Sequence, residues 1–265
     1  MKILGILNIT EDSFSDGGKF LAADAALAHA QKLVADGADA IDIGAASSNP
    51  DARPVAPETE IMRLSAVLAA LKARNIPVSV DSFNPAVQRF ALAQRVDYLN
   101  DIHGFPDDAL YPALAKSGCK LIVMHMVQEG DAAVRTHVPP AEIFDRVTRF
   151  FDARIKALTA AGIARDRLIL DPGMGQFVGA DPENSLILLR RLPELKTRYG
   201  LPILISVSRK GFLRKLTGQP IDRIGPATLA AELFAVAQGA DMIRTHDAAT
   251  LRDGLKVLEN LKEPR

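Results

Sequence analysis

The chain has 265 residues, and its 32 basic and 32 acidic side chains cancel, so no field of one sign recruits nucleic acid or an anionic membrane surface. Its hydrophobic share of 48% supplies a full core, yet no run reaches the length of a membrane span, and a soluble protein is expected. The single cysteine, Cys119, precedes the apolar "KLIVMHM"; it reads as a buried structural thiol and can build neither a disulfide framework nor a zinc cluster.

The amino terminus passes from Met1 into a short apolar run and then acids, without the length or cleavage site of a signal peptide, so a cytoplasmic protein is expected. Strands are predicted at "ILGILN" (3–8), "AIDIG" (40–44), "PVSVD" (77–81) and "DYLND" (97–101). They continue at "KLIVMHM" (120–126), "RLILD" (167–171), "PILISV" (202–207) and "DMIRT" (241–245). Amphipathic stretches separate them, such as "AADAALAHAQKLVADG", where Ala26, Ala30, Leu33 and Gly37 are expected on one helical face. Strands this apolar, alternating with helices, belong in a parallel sheet covered on both sides. Eight such units fit an α/β fold, a (β/α)8 TIM barrel with a single domain over residues 1–265; a doubly wound open sheet is the alternative.

Each predicted strand ends on a polar residue. The ends are Asn8, Asp42 with Gly44, Asp81, Asn100 with Asp101, His125, Asp171, Ser208 with Lys210, and Arg244 with His246. In a barrel these ends share the carboxyl face, where barrel enzymes carry out their chemistry. Asp42, Asp101 and Ser208 read equally as caps or packing groups. Asp81, Asn100 and Asp171 offer acceptors and an amide to the planar edge of an aminopyrimidinone-like ring. A magnesium cage is the rival use of two carboxylates and an amide, but this ion seldom takes an all-protein cage. Lys210, Arg244 and His246 suit an anion, and a guanidinium also stacks on a ring face. "GFLRKLTG" is a weak phosphate motif, and "GMGQFVG" has the wrong spacing for a dinucleotide loop.

"GILNITEDSFSDGG" at 5–18 resembles the opening signature of the dihydropteroate synthases. "VDSFNP", "LNDI", "MHM", "LDPGMG", "SRK" and "RTH" follow in the family's order. The resemblance implies a barrel that joins 6-hydroxymethyl-7,8-dihydropterin diphosphate to p-aminobenzoate in folate biosynthesis, with Mg2+, and that forms a homodimer through its last helices. It implies that Asp81, Asn100, Asp171 and Lys210 hold the pterin and that Arg244 stacks on it. Asn8, Arg244 and His246 meet the diphosphate, with Asn8 on the magnesium. Ser48, Pro50, Phe177 and Gly211 are expected beside the benzoate, and the helix starting near Gly211 is expected to aim its positive end at the benzoate carboxylate.

Some positions depart from the family pattern. Gly211 stands where a serine is usual, Ala46 for glutamate, Ser48 for threonine, Asn49 for arginine and Asp51 for glycine. Arg53 stands near the missing arginine. The "SSNPDARPV" loop and Phe177 resemble the mobile, sulfonamide-insensitive branch, although Gln176 replaces a second phenylalanine found there. Two other functions stay open on the residues: a methyl-carrier pterin domain, which leaves Lys210, Arg244 and His246 idle, and a pterin-binding relative without chemistry. His29 is expected to be exposed, His137 sits in the polar loop "GDAAVRTHVPP" without a partner that the sequence names, and His125 is expected to pack and hydrogen-bond at the mouth without direct chemistry.

Overall fold

The computed structural model describes residues 1–9, 19–46, 55–127 and 137–261, with side chains in the first helix from Asp24 onward. Eight strands form one parallel sheet: β1 (Lys2–Asn8), β2 (Ala40–Gly44), β3 (Val78–Asp81), β4 (Tyr98–Asp101), β5 (Lys120–Met124), β6 (Leu168–Asp171), β7 (Leu204–Ile205) and β8 (Met242–Thr245). Among the described residues ten α-helices surround it: α1 (Lys19–Ala35), α2 (Pro57–Lys72), α3 (Pro85–Ala93), α4 (Tyr111–Lys116), α5 (Pro140–Ala160), α6 (Pro182–Arg190), α7 (Leu192–Tyr199), α8 (Gly211–Thr217), α9 (Gly225–Ala237) and α10 (Ala248–Asn260). Prolines 57, 85, 140 and 182 open four of them at positions where an amide hydrogen would lack a partner in any case. Asn84, Asp181 and Asp247 accept backbone N–H groups as side-chain caps.

The strand order runs β6-β5-β4-β3-β2-β1-β8-β7, so consecutive strands are neighbours and β1 pairs with β8. Closure between β6 and β7 rests on one bridge, Leu170 with Ile203, where Leu170 N–H donates to the Pro202 carbonyl at 2.9 Å. The result is a (β/α)8 barrel. The seventh strand is shorter than the predicted 202–207 because its flanks turn away: Ile203 accepts from both Asp241 and Met242, and Ser208 and Lys210 lie beyond the strand in a turn where Arg209 takes φ 58°. The fifth strand stops at Met124, one residue before His125, whose N–H donates to the Asp171 carbonyl at 2.8 Å. On α1, Ala30 and Leu33 are buried and Ala26 is half-buried, but Gly37 does not share their face. The helix ends at Ala35, and Gly37 carries the chain out at φ 101°.

Strand alternation divides the interior in two. Ile3, Leu7, Ile41, Ile43, Val80, Leu121 and Val123 point outward and pack under the helices. Leu4, Ala40, Tyr98, Ile122, Ile169, Leu204 and Met242 form a separate buried cluster that plugs the barrel. A side chain two residues further along a strand faces the same way. The next inward layer therefore contains Ile6, Asp42, Asn100, Met124, Asp171, Ser206 and Arg244, and with it the polar mouth begins.

Candidate active site

Asp42, Asp81 and Arg244 form the centre of the mouth. Arg244 donates through Nε to Asp42 Oδ2 and through Nη2 to Asp81 Oδ2, the latter at 2.6 Å. Asp42 is fully buried, whereas the side chains of Arg244 and Asp81 remain 15% and 23% exposed toward the mouth. Burial opposes the Arg244 charge, but Asp42 and Asp81 overcome it and its pKa rises. Asp42 thus fixes the guanidinium plane, and the capping reading of this residue does not hold. Burial, reinforced by Asp42 and opposed by Arg244, pushes the Asp81 carboxyl up to about 7.

On the neighbouring strand β4, in register with Asp81, Asn100 is 3% exposed and its Oδ1 is buried with no hydrogen-bond partner among the described residues. A buried acceptor left open costs roughly 1–3 kcal/mol, so its placement at a binding mouth is informative. Asp171 Oδ1 accepts the Gly173 N–H at 2.8 Å, and burial raises the carboxyl to about 6 against the pull of that bond and of Lys210. Gly173 is required here: at φ 75°, a Cβ would lie 2.4 Å from the His125 carbonyl oxygen. His125 Nδ1 is 3.1 Å from the Pro172 carbonyl, and burial lowers the imidazole pKa to about 4, so this residue is a neutral strut, as expected.

Lys210 precedes α8 and its stem runs past Gly175, where an added Cβ would be 3.4 Å from Lys210 Cδ. Its ammonium has no hydrogen-bond acceptor among the described residues and sits 4.3 Å from the centre of the Phe177 ring. Burial first, then Arg244, lowers its pKa to about 8, with Asp171 and Asp81 pulling the other way. Phe177 itself packs on Ile102, Met124 and Met126, so it covers one side of the mouth. Gly211 opens α8 with only Arg214 Nη2 near its position, at 3.7 Å from an added Cβ.

At the β8 end, His246 Nδ1 lies 3.0 Å from Ser208 Oγ, which also accepts the His246 N–H at 3.2 Å. Ser208 is therefore neither a cap nor idle packing. Burial, with Arg209, Arg244 and Lys210 nearby, lowers the His246 pKa to about 3. Asn8, exposed at the end of β1, sits across Gly44 from Asp81. Asn8, Asp81, Phe177, Lys210, Arg244 and His246 together line an opening of about 410 Å³. Ser48 and Pro50 lie outside the described residues, as do Asn49, Asp51 and Arg53.

Asp101 proves structural. Its carboxylate accepts the N–H groups of His103 and Phe105 and the Gln88 amide, which shapes the turn after β4. Glu232 and Thr245, which the sequence did not single out, stand directly behind His246. A lone acid in the apolar run "TLAAELFAVA" was the available signal.

Apolar plug, polar mouth and paired guanidinium define a (β/α)8 barrel with its chemistry at the carboxyl face. A family model described as "Pterin binding enzyme" matches residues 4–246. The type-2 dihydropteroate synthase of Escherichia coli is 62% identical over 98% of this chain and 96% of that protein. The type-3 enzyme of the same species is 52% identical over 98% and 99%. The dihydropteroate synthase of Xanthomonas albilineans, solved with 4-aminobenzoic acid, superposes with a TM-score of 0.89 at 36% identity, covering 100% of this chain and 94% of that one. The chain belongs to the dihydropteroate synthase family, enzymes that transfer an alkyl group other than methyl.

Proposed function

We propose that this mouth joins 6-hydroxymethyl-7,8-dihydropterin diphosphate to p-aminobenzoate, releasing dihydropteroate and diphosphate in folate biosynthesis. The observation that carries the reading is the buried Asn100 Oδ1, without a partner among the described residues, in the same inward layer as the doubly held Arg244. A pterin edge presents N–H donors to Asn100, Asp171 and Asp81, and a ring carbonyl and nitrogen to the Lys210 ammonium. Arg244, fixed by two carboxylates, covers the ring and reaches the diphosphate beside His246.

The methylene–oxygen bond breaks and its electron pair leaves with the diphosphate, while the electron-rich ring spreads the positive charge on carbon. The aromatic amine then forms the carbon–nitrogen bond with its lone pair and releases its proton to water. That amine is neutral near pH 7, so no side chain needs to serve as its base. Preplaced donors at the leaving group supply the main catalytic effect, and loss of one typically costs about a hundredfold in rate.

Magnesium fits the donor set. Among the described residues no group of three or more acidic, histidine or cysteine side chains could cage a metal, and Asn8 offers one hard amide oxygen at the mouth. Such an ion relies on substrate phosphate oxygens and water for its other ligands. When bound, it neutralises charge on the departing diphosphate.

The benzoate lies toward Gly211 and Phe177. The Phe177 ring beside Lys210 narrows this side, and Gly211 lacks the hydroxyl that a serine would offer to the ligand; both favour reduced sulfonamide sensitivity. Exposed Phe234, Val257 and Leu261, on and beside α9 and α10, are apolar groups that a homodimer through these helices would cover. A diphosphate substrate does not cross membranes unaided, which supports a cytoplasmic reaction.

The test follows diphosphate and dihydropteroate together with the two substrates and magnesium, with sulfamethoxazole in a parallel series. Coupled formation of both products supports the synthase. Pterin binding without product would make the chain a binding relative, and an ordinary inhibition curve would remove the insensitivity alone.

A further inference from the structure

Behind the anion side of the mouth, a buried acid ends a line of hydroxyls. Glu232 is 2% exposed on the face of α9 that also buries Thr228 and Ala235, a spacing of four and three residues that points all three at the barrel wall. The Thr245 hydroxyl is near enough to oppose the rise of the Glu232 pKa, Ser208 lines the same cavity, and Oε1 has no hydrogen-bond partner among the described residues. Thr245 is fully buried because it points outward from β8, between the inward Arg244 and His246. Thr245 Oγ1 lies 3.4 Å from Ser208 Oγ and accepts the Asp247 N–H at 3.2 Å. Ser208 Oγ then meets His246 Nδ1 at 3.0 Å.

We propose that Glu232 acts through Thr245 and Ser208 to set which ring nitrogen of His246 carries the proton, and so is a positioning residue for diphosphate departure. The catalytic half of this statement rests on the reading of His246 as a diphosphate contact. Each hydroxyl has one hydrogen, so the line has two directions in which every link carries one. When Glu232 is an acid, it donates to Thr245, Thr245 to Ser208 and Ser208 to His246 Nδ1. The other ring nitrogen, Nε2, then carries a hydrogen that can be given to a phosphate oxygen. When Glu232 is a carboxylate, Thr245 donates to it, Ser208 donates to Thr245, and Nδ1–H donates to Ser208. Nε2 is then a bare lone pair facing a polyanion, which repels rather than binds.

The direction matters because His246 is neutral through the working range, its pKa being lowered to about 3. A neutral imidazole has one hydrogen to place, and its second nitrogen decides where. Burial raises the Glu232 carboxyl to about 7; Thr245 opposes that rise, and Asp247 from the start of α10 adds to it. Arg209 and Asp222 are the other charged groups on the same cavity, an opening of about 480 Å³ through which the Glu232 proton can exchange with solvent. The acid form therefore holds below about pH 7 and is lost above it.

The test is nitrogen-15 NMR of His246 in the whole protein between pH 5.5 and 8.5, for the unmodified chain, Glu232→Gln and Thr245→Val. In the unmodified chain the tautomer should pass from Nε2–H to Nδ1–H as pH rises through about 7. Glu232→Gln, whose amide donates to Thr245 at every pH, should hold Nε2–H throughout. Thr245→Val, which keeps the shape and breaks the line, should abolish the step. In parallel, at saturating substrates, kcat of the unmodified chain should fall relative to that of Glu232→Gln by roughly twentyfold over the window, as the acid form gives way to one that has lost a leaving-group donor worth about a hundredfold. A His246 tautomer that ignores pH in the unmodified chain, or a step that persists in Glu232→Gln, overturns the proposal. Absence of product at any pH, with the NMR step present, overturns the synthase reading and leaves the relay standing.

Discussion

Two layers of the barrel interior, one strand repeat apart, are built on opposite principles. The lower layer, with Leu4, Tyr98, Ile122, Ile169 and Leu204, is dry and apolar, and it gains free energy by leaving water. The upper layer, with Asp42, Asn100, Asp171 and Arg244, places charges and an amide where burial is costly and leaves Asn100 Oδ1 and Asp42 Oδ1 without partners among the described residues. The plug stabilises the fold and makes the floor of the mouth rigid. The mouth gives up stability to stay ready for a ligand. Substitutions in the first layer should act on folding, and those in the second on chemistry.

The sharpest break in that comparison is Arg244→Ala, which removes the guanidinium and strands two carboxylates. Turnover should fall by about a thousandfold or more, beyond the hundredfold typical of a single lost donor, because diphosphate contact and ring cover go together. Breaking a buried pair from one side also costs about 3–5 kcal/mol, so denaturant melts of the variant should show a large loss as well. If turnover survives, the mouth does not work through Arg244.

Ile122→Ala tests the other layer. Ile122 is fully buried in the plug, and truncation should cost about 2–5 kcal/mol of stability. Turnover per folded molecule should stay within a few-fold of the parent. A hundredfold loss of turnover in folded protein would mean that the two layers are not separable.

Pterin affinity should follow a bell with pH. Asp171 and Asp81 must be carboxylates to accept N–H groups, so affinity should rise through about 6 and 7. It should fall again as the Lys210 ammonium is lost through about 8. Because these groups interact, calorimetry will report values for the cluster, with a limiting slope near tenfold per pH unit for each proton. A flat profile from pH 5 to 9 would remove these residues from ring recognition.

The smallest effect is expected at the rim. Phe177→Leu removes the ring beside Lys210 but keeps an apolar cover, and should raise sulfamethoxazole affinity by several-fold while changing p-aminobenzoate turnover less. The size follows from an exposed-to-partly-buried cation–π contact of about 0.5–2 kcal/mol. Unchanged inhibition would move the origin of any insensitivity to Gly211 or to the loop after β2.

The sequence by itself determined the repeat and most of the mouth. Apolar runs fixed eight strands to within a few residues, because a buried parallel strand tolerates little but Ile, Val and Leu. The strand-end rule then gathered Asp81, Asn100, Asp171, Lys210, Arg244 and His246 on one face, since every parallel strand of a barrel ends at the same side. Tertiary structure alone decided how those residues pair. Asp42 holds Arg244 from a strand 202 positions away in the chain. Asp101, with the same chemistry and a similar strand-end position, points the other way and is spent on Gln88 and its own loop. Local pattern cannot separate these two acids, because the difference lies in which neighbour the closing barrel brings within hydrogen-bond reach. The line from Glu232 to His246 is of the same kind: it joins a helix, two strand ends and a turn that meet only when the seventh and eighth strands close the ring.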